Sequence, residues 1–229
     1  ITNCTFAHGH SAVAIGSETS GGIKNIVISN CVFNQTYRGL RIKSARGRGN
    51  VVKNIRATNI IMDHVGTAIS LNMFYGEEEE EKGYQPVDEK TPHFLNIRYS
   101  HITGTNIERA GIIRGLPEAP IEGVSLTDID LKAETGMEIQ FTKDLGLNEV
   151  TIEVKNGAAL TISDSETLEL DEFTGRNSTP DTPVIRLINV NDCVIRNSKL
   201  MGDTGKFIEK TGDTCEIEVI NSEMIDINP

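Results

Sequence analysis

The amino-acid sequence predicts an all-β protein, a right-handed parallel β-helix of about eight coils, and three observations lead there. Short Ile- and Val-rich runs alternate with Gly and Asn in a chain of 229 residues that is 38% hydrophobic and only 5% aromatic. That is the pattern of many short strands joined by tight corners. One strand pattern, apolar at alternate positions and closed by a polar corner residue, recurs along the chain at similar spacing. A second alternating strand follows each copy at a matching place. Such a unit has no apolar face it can bury alone, so it must stack on its neighbours. A β-sandwich also uses short alternating strands, but it gives no reason for one corner residue to recur at a steady interval.

Taken in order, the corner markers are Asn3 in "ITNCTF", Asn30 in "NIVISNCVF", Asn59 in "NIRATNIIM" and His101 in "NIRYSHITG", then Asp128 in "GVSLTDIDL", Asn156 in "EVTIEVKNG", Asn197 in "CVIRNSKL" and Asn221 in "IEVINSEM". Asn suits these corners because it tolerates left-handed backbone. The intervals are 27, 29, 42, 27, 28, 41 and 24 residues. The two long ones predict insertions near residues 74–94 and 164–183, the first with five consecutive Glu, read as solvated loops on a single domain spanning 1–229.

The second strands are "SAVAIGS", "RGLRIKS", "TAISLNM", "AGIIRGL", "TGMEIQF" and "AALTISD". Period-two alternation turns Val13, Ile15, Leu40, Ile42, Ile69, Leu71, Met137 and Ile139 inward. Outside, one column reads Ala14, Arg41, Ser70, Ile113, Glu138, Thr161, and the next reads Gly16, Lys43, Asn72, Gly115, Gln140, Ser163. Arg41 and Lys43 therefore project together, flanked by short residues in the neighbouring coils. They stand in a shallow trough.

A formal charge of −11 and a pI near 4.9 exclude a general nucleic-acid binder, which needs a basic footprint over much of its surface. Basic function is local, and "GLRIKSARGRGN" at 39–50 concentrates Arg41, Lys43, Arg46 and Arg48 with no acidic residue. No apolar run reaches the ~20 residues of a membrane span. Cys4, Cys31, Cys193 and Cys215 have no CxxC spacing and lie in strand-like runs, so buried thiols are expected rather than zinc ligands or disulfides. The redox compartment stays open. His8 and His10 lack a third ligand nearby, so neither a metal nor a cofactor is implied.

"HGHSAVAIGSETSGG" followed by "GLRIKSARGRGN" resembles the polygalacturonase family of pectin-degrading glycoside hydrolases, right-handed parallel β-helix enzymes marked by Asn-x-Asp, Asp-Asp, Gly-His-Gly and Arg-Ile-Lys. Arg41-Ile42-Lys43 is complete, and Gly9-His10-Ser11 departs only in Ser11. The close match runs from about Asn3 to Tyr75, and the remainder supports it through the coil repeat. The resemblance implies hydrolysis of galacturonan with inversion, His10 as a catalytic-site residue, Arg41 and Lys43 as substrate-binding residues, and a secreted or periplasmic location. It also implies that the catalytic aspartates, which the family carries upstream of the His motif, precede residue 1. No Asp-Asp occurs in the chain. The expected picture is the C-terminal part of a longer enzyme, inactive alone and able to self-associate through an exposed first coil.

Other roles remain for several of these residues. His10 fits either a packed corner or the site, and Tyr75 either a sugar-stacking ring or a pin for the insertion. Asp128 and Asp130 share a face but read as a corner and a polar strand position rather than an acid pair. Two function classes stay open, a pectin-active hydrolase and a β-helical carbohydrate-binding or adhesin-like module without catalysis.

Overall fold

Apolar alternation with left-handed corners leaves the backbone one way to satisfy its hydrogen bonds, which is to pair each strand with its equivalent one coil later. The computed structural model describes residues 1–76, 83–202, 208–212 and 217–226. Its strands are β1 (Thr5–Gly9), β2 (Val13–Ile15), β3 (Ile23–Thr36), β4 (Arg38–Lys43), β5 (Val51–Asp63), β6 (Thr67–Asn72), β7 (His93–Arg114) and β8 (Ile121–Gln140). They continue as β9 (Thr142–Asp171), β10 (Thr174–Asn177), β11 (Ile185–Arg196), β12 (Lys199–Gly202), β13 (Ile208–Thr211), β14 (Ile217–Ile220) and β15 (Glu223–Asp226). All belong to one hydrogen-bonded network, and every strand pair is parallel. No helix occurs among the described residues. This is the parallel β-helix that the repeat predicts.

Strands as long as β7, β8 and β9 turn corners without leaving the sheet, and left-handed residues mark the turns. Asn3, Asn30, Asn59, His101, Asp128, Asn197 and Asn221 all have φ between 46° and 56°. Their side chains reinforce the stack: Asn30 Nδ2 donates to Asn3 Oδ1 at 3.2 Å, and Asn59 Nδ2 to Asn30 Oδ1 at 3.1 Å. A second ladder runs along another corner, from Asn96 to Asn54 at 2.8 Å and from Asn54 to Asn25 at 2.9 Å.

Two corner assignments change. Pairing of Ile129 with Val150 puts Glu149 after Asp128 in the column, and pairing of Thr151 with Thr174 puts Glu172 next, both left-handed, whereas Asn156 lies in β9 without a left-handed backbone. The apparent 41-residue interval therefore holds a further corner, and residues 164–183 are not one loop: strand continues to Asp171 and resumes over Thr174–Asn177. Glu carries no corner signal of the kind Asn does, so this turn was silent in the sequence.

The core is a column of aliphatic side chains inside the coil. Leu40, Ile42, Ile69, Leu71, Met137 and Ile139 are each at most 1% exposed, and Val13 and Ile15 are also buried. Phe33, Phe94, Phe173 and Tyr99 fill the wider parts. Cys31 and Cys193 are buried thiols as expected, but Cys4, which the register stacks on Cys31, is exposed in the first described coil, where only one neighbouring coil packs against it. Cys215 and the five-Glu run lie outside the described residues.

Candidate functional site

The site grows from the rung β2, β4, β6 and the outer ends of β7 and β8. Register pairs Ala14 with Arg41 and Arg41 with Ser70, and Lys43 with Asn72. Leu40 and Ile42 are buried between them, so Arg41 and Lys43 point out on the same face. Gly16 lies beside Lys43: its φ is +92°, and a β-carbon there would come 1.9 Å from the Lys43 carbonyl oxygen. Only glycine fits this position. Ser70, 5% exposed, adds no bulk on the other side.

His10 is brought onto this face by Gly9, whose φ of +123° ends β1 in a turn closed to other residues. Arg41 Nη1 lies 3.0 Å from His10 Nε2. Guanidinium has only donors, so Nε2 accepts and the imidazole in this contact is neutral, with its proton on Nδ1. The His10 ring also rests against Tyr37 at 5.5 Å, and the Arg38 guanidinium covers Tyr37 at 4.0 Å. Ser11 donates nothing, since its Oγ is buried without a hydrogen-bond partner.

Tyr75 closes the other side. Its backbone N–H donates to the Ser44 carbonyl at 3.0 Å, which holds the ring over Lys43 Nζ at 4.1 Å and near the Arg41 guanidinium at 5.2 Å. The Lys43 ammonium, by hydrogen bonding and by its charge, draws the Tyr75 hydroxyl below the ordinary phenol range, with Arg41 and Arg48 adding to it. Partial burial draws the Arg41 guanidinium below its ordinary range, and it stays protonated. None of His10, Arg41 and Lys43 pairs with a carboxylate among the described residues.

The remaining cations of "GLRIKSARGRGN" have other work. Arg46 forms a two-pronged pair with Glu118, Nε to Oε1 at 2.6 Å and Nη2 to Oε2 at 2.8 Å, with the carboxylate side chain 1% exposed. Arg46 Nη2 also donates to the Gly83 carbonyl and Gln85 N–H to Glu118 Oε2. Arg46 thus clamps the excursion between β6 and β7 onto the rim, and it does not add a ligand cation as the sequence pattern implied. Arg48 Nη1 donates to Ser17 Oγ at 3.2 Å.

Both outer columns need correction at one rung. Register pairs Ser70 with Ile112 and Asn72 with Arg114, so Ile112 and Arg114 face out, not Ile113 and Gly115, and Ile113 is wholly buried. Gly111 takes the inward place that an aliphatic holds in the other coils, and Met137 fills the space it leaves, with Cε 2.9 Å from where a β-carbon would be. Alternation read from hydrophobicity alone starts one residue late there. Arg114 was missed for that reason, although counting eleven residues from a corner finds the column: Asn30 to Arg41, Asn59 to Ser70, His101 to Ile112.

Comparison with known proteins bears on this geometry. The family model "Glycosyl hydrolases family 28" matches residues 1–145, which contain His10, Arg41, Lys43 and Tyr75. The chain belongs to glycosyl hydrolase family 28. Among curated relatives of family 28, a probable polygalacturonase of Vitis vinifera is 28% identical over 53% of this chain and 24% of that protein. An endo-polygalacturonase of Pectobacterium carotovorum subsp. carotovorum is 27% identical over 59% of this chain and 31% of its own length. An exo-poly-alpha-D-galacturonosidase of Dickeya chrysanthemi is 31% identical over 56% of this chain and 20% of its own length. The chain thus spans about a third or less of the length of these family 28 relatives. No solved structure gives a match.

Proposed function

We propose that this chain is the substrate-holding part of a glycosidase that hydrolyses galacturonic-acid-containing polysaccharide with inversion, outside the cytoplasm. One observation carries the reading. In an acidic protein, Arg41 and Lys43 share an outer face, lie between short residues and have no carboxylate partner among the described residues, with His10 bonded to Arg41. A uronate supplies the missing anion. Arg holds a carboxylate through parallel N–H donors, and Lys adds a point charge beside it. Family membership and relatives named as polygalacturonases support the substrate class.

Inverting hydrolysis needs a carboxylic acid and a carboxylate about 6.5–9.5 Å apart. Neither contacts His10, Arg41 or Lys43 among the described residues, so the chain by itself binds without turnover, and His10 serves by fixing Arg41 rather than by supplying the proton. Both endo- and exo-acting relatives occur. Calorimetric titration tests the reading. Arg41→Ala is expected to weaken oligogalacturonide binding about tenfold, while a carboxyl-reduced analogue, weakly bound from the start, is unaffected. Salt is expected to narrow the gap. Equal weakening of both ligands would overturn charge recognition.

A further inference from the structure

The second asparagine ladder also orients two arginines that the front trough does not use. Along it each Nδ2 donates to the Oδ1 one coil earlier, Asn96 to Asn54 and Asn54 to Asn25. Register puts Gly123 next in the column, so no further amide follows to bond Asn96 Oδ1. Two guanidinium groups take it instead. Arg56 Nη2 donates to Asn96 Oδ1 at 3.2 Å and Arg56 Nη1 to the Asn96 carbonyl at 2.9 Å, while Arg98 Nε donates to the same Oδ1 at 3.3 Å. Arg56 Nη1 gives its other hydrogen to the Ile55 carbonyl at 3.1 Å.

Ile55, Ala57, Ile97 and Tyr99 are buried, so Arg56 and Arg98, paired in register, share the outer face of the sheet made by β3, β5 and the first part of β7. Arg41 and Lys43 lie on a different face, that of β4 and β6. Each of the two arginines keeps one open edge. For Arg56 it is Nε–H with the second Nη2 hydrogen, and for Arg98 the Nη1–Nη2 fork, none of them bonded to protein among the described residues. Neither meets a carboxylate there, whereas Arg46, Arg186 and Arg196 all do. Burial and then the charge of Arg98 draw the Arg56 guanidinium below its ordinary range, so the two cations oppose each other. The next positions in their column are Ser125 and Gly146, which leave room beside them. A depression of about 370 Å³ lies here, lined among others by both arginines, Thr58, Ser100, Ser125 and Thr127. Ser100 donates to Thr58 at 3.0 Å, but Ser125 and Thr127 share a single bond of 3.4 Å, so one hydroxyl hydrogen remains for a ligand.

We infer that Arg56 and Arg98 form a binding site for a tetrahedral oxyanion, a phosphate or sulfate group, separate from the front trough. The two open edges stand on adjacent rungs, ~4.8 Å apart. One guanidinium edge already satisfies both oxygens of a carboxylate, whereas a phosphate or sulfate group has further oxygens for the second edge and the hydroxyl. Asn96 holds both guanidinium groups before a ligand arrives, so little side-chain freedom is lost on binding. A bound anion also relieves the opposition between the two cations. None of this depends on the polyuronate reading.

Nitrogen-edited NMR of the 229-residue chain reads this face apart from the trough, through the backbone amides of Ala57, Tyr99 and Ser125. Inorganic phosphate and inorganic sulfate are expected to shift these amides saturably, and galacturonic acid to bind there at least about fivefold more weakly. The double variant Arg56→Ala, Arg98→Ala is expected to lose about tenfold in phosphate affinity. Asn96→Asp keeps both arginines but sets a carboxylate against them, and is expected to weaken phosphate by about the same factor. Arg41→Ala leaves the titration unchanged. A galactose sulfate ester separates two sources of the group: tighter binding than inorganic sulfate supports a site that reads esters on a glycan, and equal or weaker binding supports a site for the free ion. No saturable shift, a shift undiminished in either variant, or galacturonic acid bound as tightly as phosphate overturns the inference.

Discussion

At the residue scale, the site is defined by who accepts from whom. Arg41 cannot accept and His10 Nε2 must, so a proton added to His10 removes the contact and sets two cations 3.0 Å apart. Lys43 has a comparable hold on Tyr75. Because Lys43 lowers the Tyr75 phenol below its ordinary range, Lys43→Ala is expected to move that titration upward, measured by the phenolate absorbance of the chain against a Tyr75→Phe blank. An unmoved titration would mean that the ring and ammonium do not meet in solution. Ser11, with a buried unpaired hydroxyl, is the residue at which the Gly-His-Gly pattern is broken.

Elements are fixed by a few contacts that local propensity does not announce. Glu118, in the turn between β7 and β8, reaches back to Arg46, and the pair anchors the excursion through Gly83 and Gln85. Removing the carboxylate leaves a nearly buried guanidinium, so Glu118→Ala is expected to cost about 3 kcal/mol, measured by chemical denaturation. Burial pushes the Glu118 carboxyl up, but donors from Arg46 and the backbone outweigh it and hold the group below the ordinary carboxylate range. With the folded value depressed, this stabilisation is complete above the unfolded carboxyl's range and is lost as pH falls through the folded value. The Glu118→Ala chain is therefore expected to show a flatter stability profile across that acid window. Gly16→Ala tests the rung itself. Left-handed strain with a clash against the Lys43 carbonyl is expected to cost about 1–3 kcal/mol and to weaken oligogalacturonide binding, because Lys43 must move.

For the whole molecule, stacking makes stability nearly one-dimensional, each coil leaning on its two neighbours. The central strands β7, β8 and β9 are continuous through several corners, while β13 and β14 are short and half exposed or more. Hydrogen exchange is expected to be slowest in β7–β9 and to begin at β13 and β14, and uniform protection would contradict the stacked-coil account. Charge follows a similar logic. The chain's net −11 repels polyanions at long range, a repulsion that salt screens, so the attraction of Arg41 and Lys43 is confined to contact range.

The sequence by itself determined the architecture and the first rung of the site. Asparagine at corners and strict alternation leave stacked parallel coils as the one arrangement that buries Leu40, Ile42, Ile69 and Leu71 and pairs the backbone. Two residues apart on one strand, Arg41 and Lys43 had to project together. Only the tertiary structure decided the rest, since it depends on residues that meet across coils. Register placed Glu149 and Glu172 at corners that carry no corner residue, and exchanged Ile113 for Ile112 because Gly111 yields its volume to Met137. It also committed Arg46 to Glu118, 72 positions away, and aligned Arg114 with Lys43. Alternation specifies which side of a strand a residue occupies, but packing between coils sets where the alternation begins.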